Sequence, residues 1–370
     1  MRTVRRLLYR DVVWSVVFVA VAFLSLFFFI DFLEELENVG KRGFTVGHAV
    51  LSALLELPGR FYELFPIAVL IGTIYAMARL AQSSEFTILR TGGLSPGRAL
   101  RLLLTLGVVM GVLTFAVGEY VAPLGEQQAA ALKAKFRSSP SLGRAGAWLK
   151  ERRGTGPGER SISINVQTTG SDGQMSGIRI FEHDAAGVLV RRLQAASGQA
   201  GRRGDTAVWH LQEVQVTEWP QGEQGLLTTR QLAAYDWPTT LEDNVVAAAL
   251  SPIRSMSTVD LWRYSRHLEL QEQTAQRYEL QFWRRAFYPF ACIVMVALAL
   301  PFAYLHARAG GISLKVFGGI MLGISFVLLN NVVGHLGLLR DWTPWVASAL
   351  PSLLYLLMSL AAFGWLVRYR

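Results

Sequence analysis

Val12-Val-Trp-Ser-Val-Val-Phe-Val-Ala-Val-Ala-Phe-Leu-Ser-Leu-Phe-Phe-Phe-Ile30 is a run of 19 residues without Asp, Glu, Lys or Arg. Coiled as a helix it covers roughly 28 Å, close to the hydrocarbon thickness of a bilayer. Arg2, Arg5, Arg6 and Arg10 precede it, as they would a signal peptide. The run is longer than a signal core, however, and Asp31, Phe32, Leu33, Glu34 and Glu35 follow it in place of a small-residue cleavage site. It therefore reads as a retained first membrane span.

Five more apolar segments lie outward from this one. The second is uncharged only over Leu64–Ala78, so it must extend back through Arg60 and Glu63, whose i,i+3 spacing lets them pair near the interface. Pro66 is expected to kink it. The third is Leu102–Gly118, with Ser95 as N-cap and Pro96 at the first helical position. Ala286–Leu305, Val316–Leu339 and Trp342–Val367 follow a long polar middle. Six spans account for a chain of 370 residues that is 52% hydrophobic and only 17% charged, against about 25% charged in soluble proteins. A disordered, collagen-like or fully soluble protein is excluded.

The net charge is +9, but Lys and Arg flank the apolar runs and form no single basic domain. That placement speaks for membrane topology and against a nucleic-acid partner. With the N-terminus inside, the cytoplasmic segments hold Arg2, Arg5, Arg6, Arg10, Arg79, Arg90, Arg98, Arg101, Arg308, Lys315, Arg368 and Arg370. The short outer loops hold only Lys41, Arg42, Arg60 and Arg340. Both termini are thus expected in the cytoplasm. Arg284 and Arg285, at the outer start of the fourth run, go against the rule, which long translocated domains largely escape. Cys292 is the one cysteine; it excludes an intrachain disulfide and reads as an inert small core residue.

The middle, roughly residues 124–285, changes character. Ser161–Thr168, Gly177–Glu182, Val188–Leu193, Ala207–Trp219 and Leu226–Tyr235 are short, partly alternating segments separated by clusters such as Ser171-Asp172-Gly173. They predict an all-β domain. Val208–Val216 has mostly one apolar face, as a sandwich or jelly-roll strand would. Residues 151–160 read as a loose loop. A helix should resume at Ser257 with Asp260 completing a capping box.

No phosphate loop, His-Glu-x-x-His, Gly-x-Ser-x-Gly or paired-histidine metal site occurs, so the chain is not expected to hydrolyse ATP or a peptide by itself. The most suggestive short segment is Arg79-Leu-Ala-Gln-Ser-Ser-Glu-Phe-Thr-Ile-Leu-Arg-Thr-Gly-Gly93. Ser83 or Ser84 can cap a two-turn helix near 84–91, Glu85 suits its dipole, Phe86 and Leu89 share a face, and Gly92-Gly93 stops it. It is either a connector lying on the membrane or a helix that docks into a cytoplasmic partner. In span five, Asn331 and His335 sit one turn apart beside Asn330; interhelical hydrogen bonding is the favoured reading and a proton relay the other.

Leu80-Ala-Gln-Ser-Ser-Glu85 with Gly92-Gly93, and Gly118-Glu-Tyr-Val-Ala-Pro-Leu-Gly-Glu-Gln127 after span three, resemble the lipopolysaccharide-export permeases of the LptF/LptG type, more closely the LptG branch. The Arg277-Tyr-Glu-Leu-Gln-Phe-Trp-Arg-Arg approach to span four is similar too, and the resemblance covers essentially the whole chain. It implies an α-helical membrane protein with six transmembrane helices and an inserted all-β, jelly-roll-like periplasmic domain. On that reading residues 1–123 carry spans one to three, 124–285 the β-domain with connecting helices, and 286–370 spans four to six.

For this family the resemblance implies a half-transporter in the bacterial inner membrane that extracts lipopolysaccharide from the outer leaflet and passes it to a periplasmic bridge. Its partners would be a sister permease (LptF-like), two copies of a cytoplasmic ATPase (LptB-like) and a single-span periplasmic bridge protein (LptC-like). ATP and Mg would be used by the ATPase; this chain would bind no cofactor and no metal. Ser84, Glu85, Phe86, Ile88, Leu89, Arg90, Gly92 and Gly93 would form the coupling helix. An anionic, multi-acyl lipid needs apolar wall and cations. Phe23, Phe27, Phe28 and Phe29 are the wall candidates, although such a stripe equally suits a lipid-facing span. Lys133, Lys135 and Arg137 match in part the family's cations past span three. At the end of span one, Asp31, Glu34, Glu35 and Glu37 stand where basic residues would be looked for, which moves the phosphate contact to Lys41, Arg42, Arg284 or Arg285, each of which could instead simply snorkel. Two other classes stay open: a membrane-anchored periplasmic assembly protein without transport activity, and a proton-coupled secondary transporter, which the lack of a carboxylate inside the spans disfavours.

Overall fold

The computed structural model of the chain describes residues 2–136, 146–154, 159–169, 174–203, 206–219, 226–241, 246, 249, 253–270, 275–304 and 311–369. The chain divides into two compact units, Met1–Leu132 with Glu279–Arg370, and Lys133–Tyr278.

The first unit is helical. Its elements are α1 (Arg2–Leu36), α2 (Val46–Gln82), the short α3 (Glu85–Thr91), α4 (Pro96–Ala116), and after the inserted unit α7 (Gln276–Ala299), α8 (Pro301–Tyr304), α9 (Ile312–Leu339) and α10 (Pro344–Tyr369). Six helices are long and apolar enough to cross a membrane. The hub is α2, which a Thr45 and His48 capping box opens. The stretch from Phe65 to Thr73 is buried, with α1 laid along it and α9 across it. Leu70, Ile74, Met77 and Leu80 of α2 share one core with Leu8, Val12 and Val16 of α1 and Met295 of α7. Cys292 is fully buried, in keeping with a small core residue.

Proline explains two departures from the expected spans. The third helix does not stop at Gly118: α4 passes through a π-helical turn, Val117–Val121, into α5 (Ala122–Phe136). Pro123 lacks the N–H that would bond four residues back, and its ring would strike the carbonyl of Glu119; widening the helix just before it relieves both problems. The fourth helix starts at Gln276 instead of Ala286, and a turn at Leu300 before Pro301 ends it at Ala299. Arg284 and Arg285 therefore lie inside a helix. Ser95 and Pro96 hold their expected N-cap and first positions, but the Ser95 side chain makes no capping bond.

The second unit is one antiparallel sheet. Strands β1 (Ala147–Arg153), β2 (Arg160–Thr169), β3 (Gln174–His183), β4 (Leu189–Arg203), β5 (Thr206–Glu218) and β6 (Thr228–Thr239) are neighbours in chain order. Residues 151–153 belong to β1 and are no loose loop. Their charges are consumed in fastening the first strand to the last. Glu151 is fully buried and accepts hydrogen bonds from Thr239 Oγ1 and the Thr240 amide, each at 3.0 Å. Arg153 pairs with Glu151 at 3.0 Å, donates to the Pro238 carbonyl and covers the Trp237 ring. This clasp draws the two sheet edges together at one end and gives the roll expected of the domain. At the other end, residues 228–234 of β6 are exposed.

A crease crosses the sheet. Gly146, Gly177 and Glu213 occupy one transverse row and have φ of +64, +65 and +52°; the register carries the row through Gln167, Ala196 and Ala233. Inward positions change parity there, from Trp209 and Leu211 to Val214 and Val216. Two consecutive polar residues, Gln212-Glu213, are the trace this leaves in an otherwise alternating strand. After the sheet, α6 (Thr258–Leu270) opens with the expected box: Asp260 N–H donates to Ser257 Oγ at 3.1 Å, and Ser257 N–H to Asp260 Oδ2 at 3.3 Å. The turn Ser171-Asp172-Gly173 lies outside the described residues.

Candidate functional site

The two-turn helix α3 joins α2 to α4, and it has two unlike faces. Phe86 is buried with its ring edge-on to Tyr304 of α8, centroids 5.1 Å apart. The Arg90 guanidinium caps the same Tyr304 ring at 5.1 Å, and Leu89 packs against the helical core. Glu85, Thr87 and Ile88 face outward, Ile88 with 66% of its surface exposed. Gly92 stops the helix as expected. The capping expectation fails: Ser84 holds the N-cap position in the left-handed region (φ +60°) and makes no side-chain cap bond, while Ser83 Oγ turns back to the Leu80 carbonyl. The helix is held by the Phe86, Arg90 and Tyr304 cluster, not by its cap. The chemistry is that of a peg: fixed to the bundle on one side, one carboxylate and one apolar side chain free on the other. Tyr304 carried no sequence signal, since it lies more than 200 positions from Phe86.

At the other end of α1, Arg60 of α2 donates to Asp31 twice, Nη2 to Oδ1 at 2.7 Å and Nε to Oδ2 at 3.0 Å. The expected Arg60 to Glu63 pair exists, but at 3.8 Å it is the weaker contact. Phe27 lies under the guanidinium at 5.5 Å. Asp31 and Glu35 are buried, and Asn38 donates to Glu35 at 3.3 Å. Half of the acidic stretch thus points into the α1 and α2 packing and is structural.

The wall candidates do not form one wall. Phe23 packs on the core, Phe27 sits beneath Arg60, Phe28 stacks on Phe32, and Phe29 faces outward. Among the cations, Lys41 and Arg42 are exposed in the turn after α1, Lys135 is exposed on α5 and Lys133 half-buried there. Arg137 lies outside the described residues. Arg284 and Arg285 turn into the bundle: Arg285 is 8% exposed, and Arg284 donates to the Asn330 carbonyl of α9 at 2.7 Å. This explains how two arginines tolerate the start of a span: they are helix-packing groups. Among the described residues, Asn331 and His335 make no bond to another helix of this chain. His335 Nδ1 lies 3.1 Å from its own helix's Asn331 carbonyl, and both side chains are exposed. The helices are instead joined by Arg284, by Tyr288 OH donating to the Glu63 carbonyl at 2.6 Å, and by Ser325 and Tyr355, 2.5 Å apart.

The Gly118-to-Gln127 segment is explained by the same packing. The Gly118 Cα sits against the Tyr62 ring, and Gly125 against the Leu55 carbonyl, with no room for a Cβ at either. This segment closes the end of span three onto α2.

The sequence profile described as lipopolysaccharide export system permease LptF/LptG matches residues 6–366. The chain is 28% identical over 334 residues to the lipopolysaccharide export system permease protein LptG of Escherichia coli (strain K12), covering 90% of this chain and 89% of that one. It is 29% identical over 332 residues to LptG of Haemophilus influenzae, 89% of each chain. The profile runs from the first span to the last and through the sheet between them: this chain belongs to the LptF/LptG family of lipopolysaccharide export system permeases.

Proposed function

We propose that this multi-pass inner-membrane protein is the LptG-type permease half of an ATP-driven lipopolysaccharide exporter. The termini and α3 lie in the cytoplasm and the β-domain in the periplasm. The observation that carries the reading is the two-faced α3: Glu85 and Ile88 are free while Phe86 and Arg90 grip Tyr304. A cytoplasmic ATPase that seats the free face would move α2 and α8 together, because α3 packs against α2 and grips Tyr304 of α8, and α4 follows through the short link 92–95. Closure of an ATPase pair then narrows the space between this chain and a sister permease, and the lipid leaves towards the β-domain and a periplasmic bridge protein.

Lys41, Arg42, Lys133 and Lys135, of which Lys133 is half-buried and the other three exposed, remain the candidates for lipid phosphate. Arg284 and Arg285 are not, since exposing them would cost helix contacts. Phe29 is the wall candidate that faces outward. The test is copurification of the ATPase with the chain and with Glu85→Ala and Ile88→Asp. Loss of ATPase and of lipid export in both variants is expected; normal binding and export in both would defeat the coupling role of α3. Photocrosslinking to lipopolysaccharide from positions 29, 41 and 135, with and without ATP, tests the lipid path.

A further inference from the structure

A cavity of about 390 Å³ opens where the start of α1, the end of α3 and the first turns of α4 meet. Its lining includes Arg5, Arg98 and Arg101, which are exposed, and Leu89, Leu94 and Leu102, which are buried or half-buried. Among the described residues none of the three arginines is ion-paired; Arg98 is pinned by donating from Nη1 to the Gly93 carbonyl at 3.1 Å. Two of these cations stand in the first two turns of α4, close to the positive end of its dipole, so the arrangement is unfavourable until an anion joins it. Thr105, one turn beyond Arg101, also lines it. From there α4 continues with outward-facing Val108, Val109 and Val112, which are 47, 61 and 64% exposed. The site is therefore a cationic cluster that leads onto an apolar track along a membrane helix.

We propose that this cavity binds an anionic glycerophospholipid of the leaflet at the chain's N-terminal face. Its phosphate sits among Arg5, Arg98 and Arg101, and an acyl chain runs over Leu102 and up the valine face of α4. Basic pockets between membrane helices favour such head groups. A free phosphate has no use for the leucine walls and the valine track. A docked protein is disfavoured because the exposed Glu85 and Ile88 of α3 take no part in the lining. Leu89 and Gly92 of this lining belong to α3 and its stop, so the site adjoins the α3 docking face without including Glu85 or Ile88.

Native mass spectrometry of the full-length protein in detergent tests this, with phosphatidylglycerol, phosphatidylcholine or inorganic phosphate added. Retention of phosphatidylglycerol at least fivefold above phosphatidylcholine is expected, unaffected by millimolar phosphate. The double variant Arg98→Gln/Arg101→Gln should lose that preference about tenfold, Arg98→Lys/Arg101→Lys should keep most of it, and Leu102→Trp, which fills the cavity and keeps the charges, should lose it too. Arg10→Gln, an exposed arginine of α1 outside the lining, should change nothing. Several results would overturn the site: equal loss with Arg10→Gln, displacement by phosphate alone, equal retention of the zwitterionic lipid, or Gln and Trp variants that shed a copurifying cytoplasmic protein while still holding phosphatidylglycerol.

Discussion

Asp31 and Arg60 form a two-point ion pair between α1 and α2, with Nη2 to Oδ1 at 2.7 Å and Nε to Oδ2 at 3.0 Å. Asp31 is 3% exposed and the Arg60 side chain 28%, so the carboxylate depends on this one partner. Bidentate guanidinium and carboxylate groups are matched in shape, and the pair is shielded on one side by Phe27. Asp31 at the end of span one thus answers a base on the neighbouring helix.

Removing one partner leaves the other uncompensated. Asp31→Asn should therefore lower stability by about 2 kcal/mol, below the full cost for a wholly buried pair because Arg60 can reach water and Glu63. The reversed pair Asp31→Arg/Arg60→Asp should recover at least half of the loss. Thermal unfolding in detergent of the native chain, Asp31→Arg, Arg60→Asp and the reversed pair measures the coupling; a strictly additive cycle would show that the two residues do not act on each other.

A sequence shows such relationships only in part. The six spans were legible because hydrophobic runs are local, and the α6 capping box because its two residues are three apart. The pairing of Asp31 with Arg60 was not, since the i,i+3 neighbour Glu63 offered a nearer partner. The same blindness hid Tyr304, the anchor of α3, and strand β1. There Glu151 and Arg153 look like solvated loop residues until Thr239 and Trp237 arrive from the far end of the domain. Local pattern identifies elements; charges that are satisfied across the fold are misread as free.

The Glu151 clasp gives the second prediction. The carboxylate is fully buried and receives bonds from Thr239, Thr240 and Arg153. Glu151→Ala strands those donors and opens the end of the roll, at a cost of about 3 kcal/mol. Trp237 lies beneath Arg153 at 4.8 Å, so with the other nine tryptophans replaced by phenylalanine its fluorescence reports the clasp. A denaturant midpoint lowered in step with a red-shifted emission is expected; an unchanged midpoint would mean that the backbone ladder alone closes the domain.

His267 on α6 supplies a pH dependence. Burial lowers its pKa from the ordinary histidine value, with Glu151 opposing more weakly, and its Nε2 makes no hydrogen bond. The folded state favours neutral imidazole, so the unfolded state takes up the proton first. The contribution of His267 is complete above about pH 6.5 and is lost as the pH falls through that value towards the folded pKa. Amide exchange over residues 258–270 in the full-length protein, corrected for intrinsic rates, should accelerate between pH 7.5 and 5.5. In His267→Leu the acceleration should disappear; if it persists, another group titrates.

The last prediction concerns Arg284 and Gly334. The guanidinium occupies the notch that the missing Gly334 side chain leaves on α9, and from it Nη2 reaches the Asn330 carbonyl at 2.7 Å. A methyl group at position 334 cannot share that space. Gly334→Ala must therefore expel Arg284 or part the helices, a loss of about 2 kcal/mol by overpacking. Arg284→Gln alone loses one charge-assisted hydrogen bond, about 1.5 kcal/mol. If both effects act through the same notch, the double variant costs clearly less than their sum, because the smaller amide leaves room for the methyl group. A double variant as unstable as the sum would mean that Gly334 matters for its own backbone and not for the arginine it accommodates.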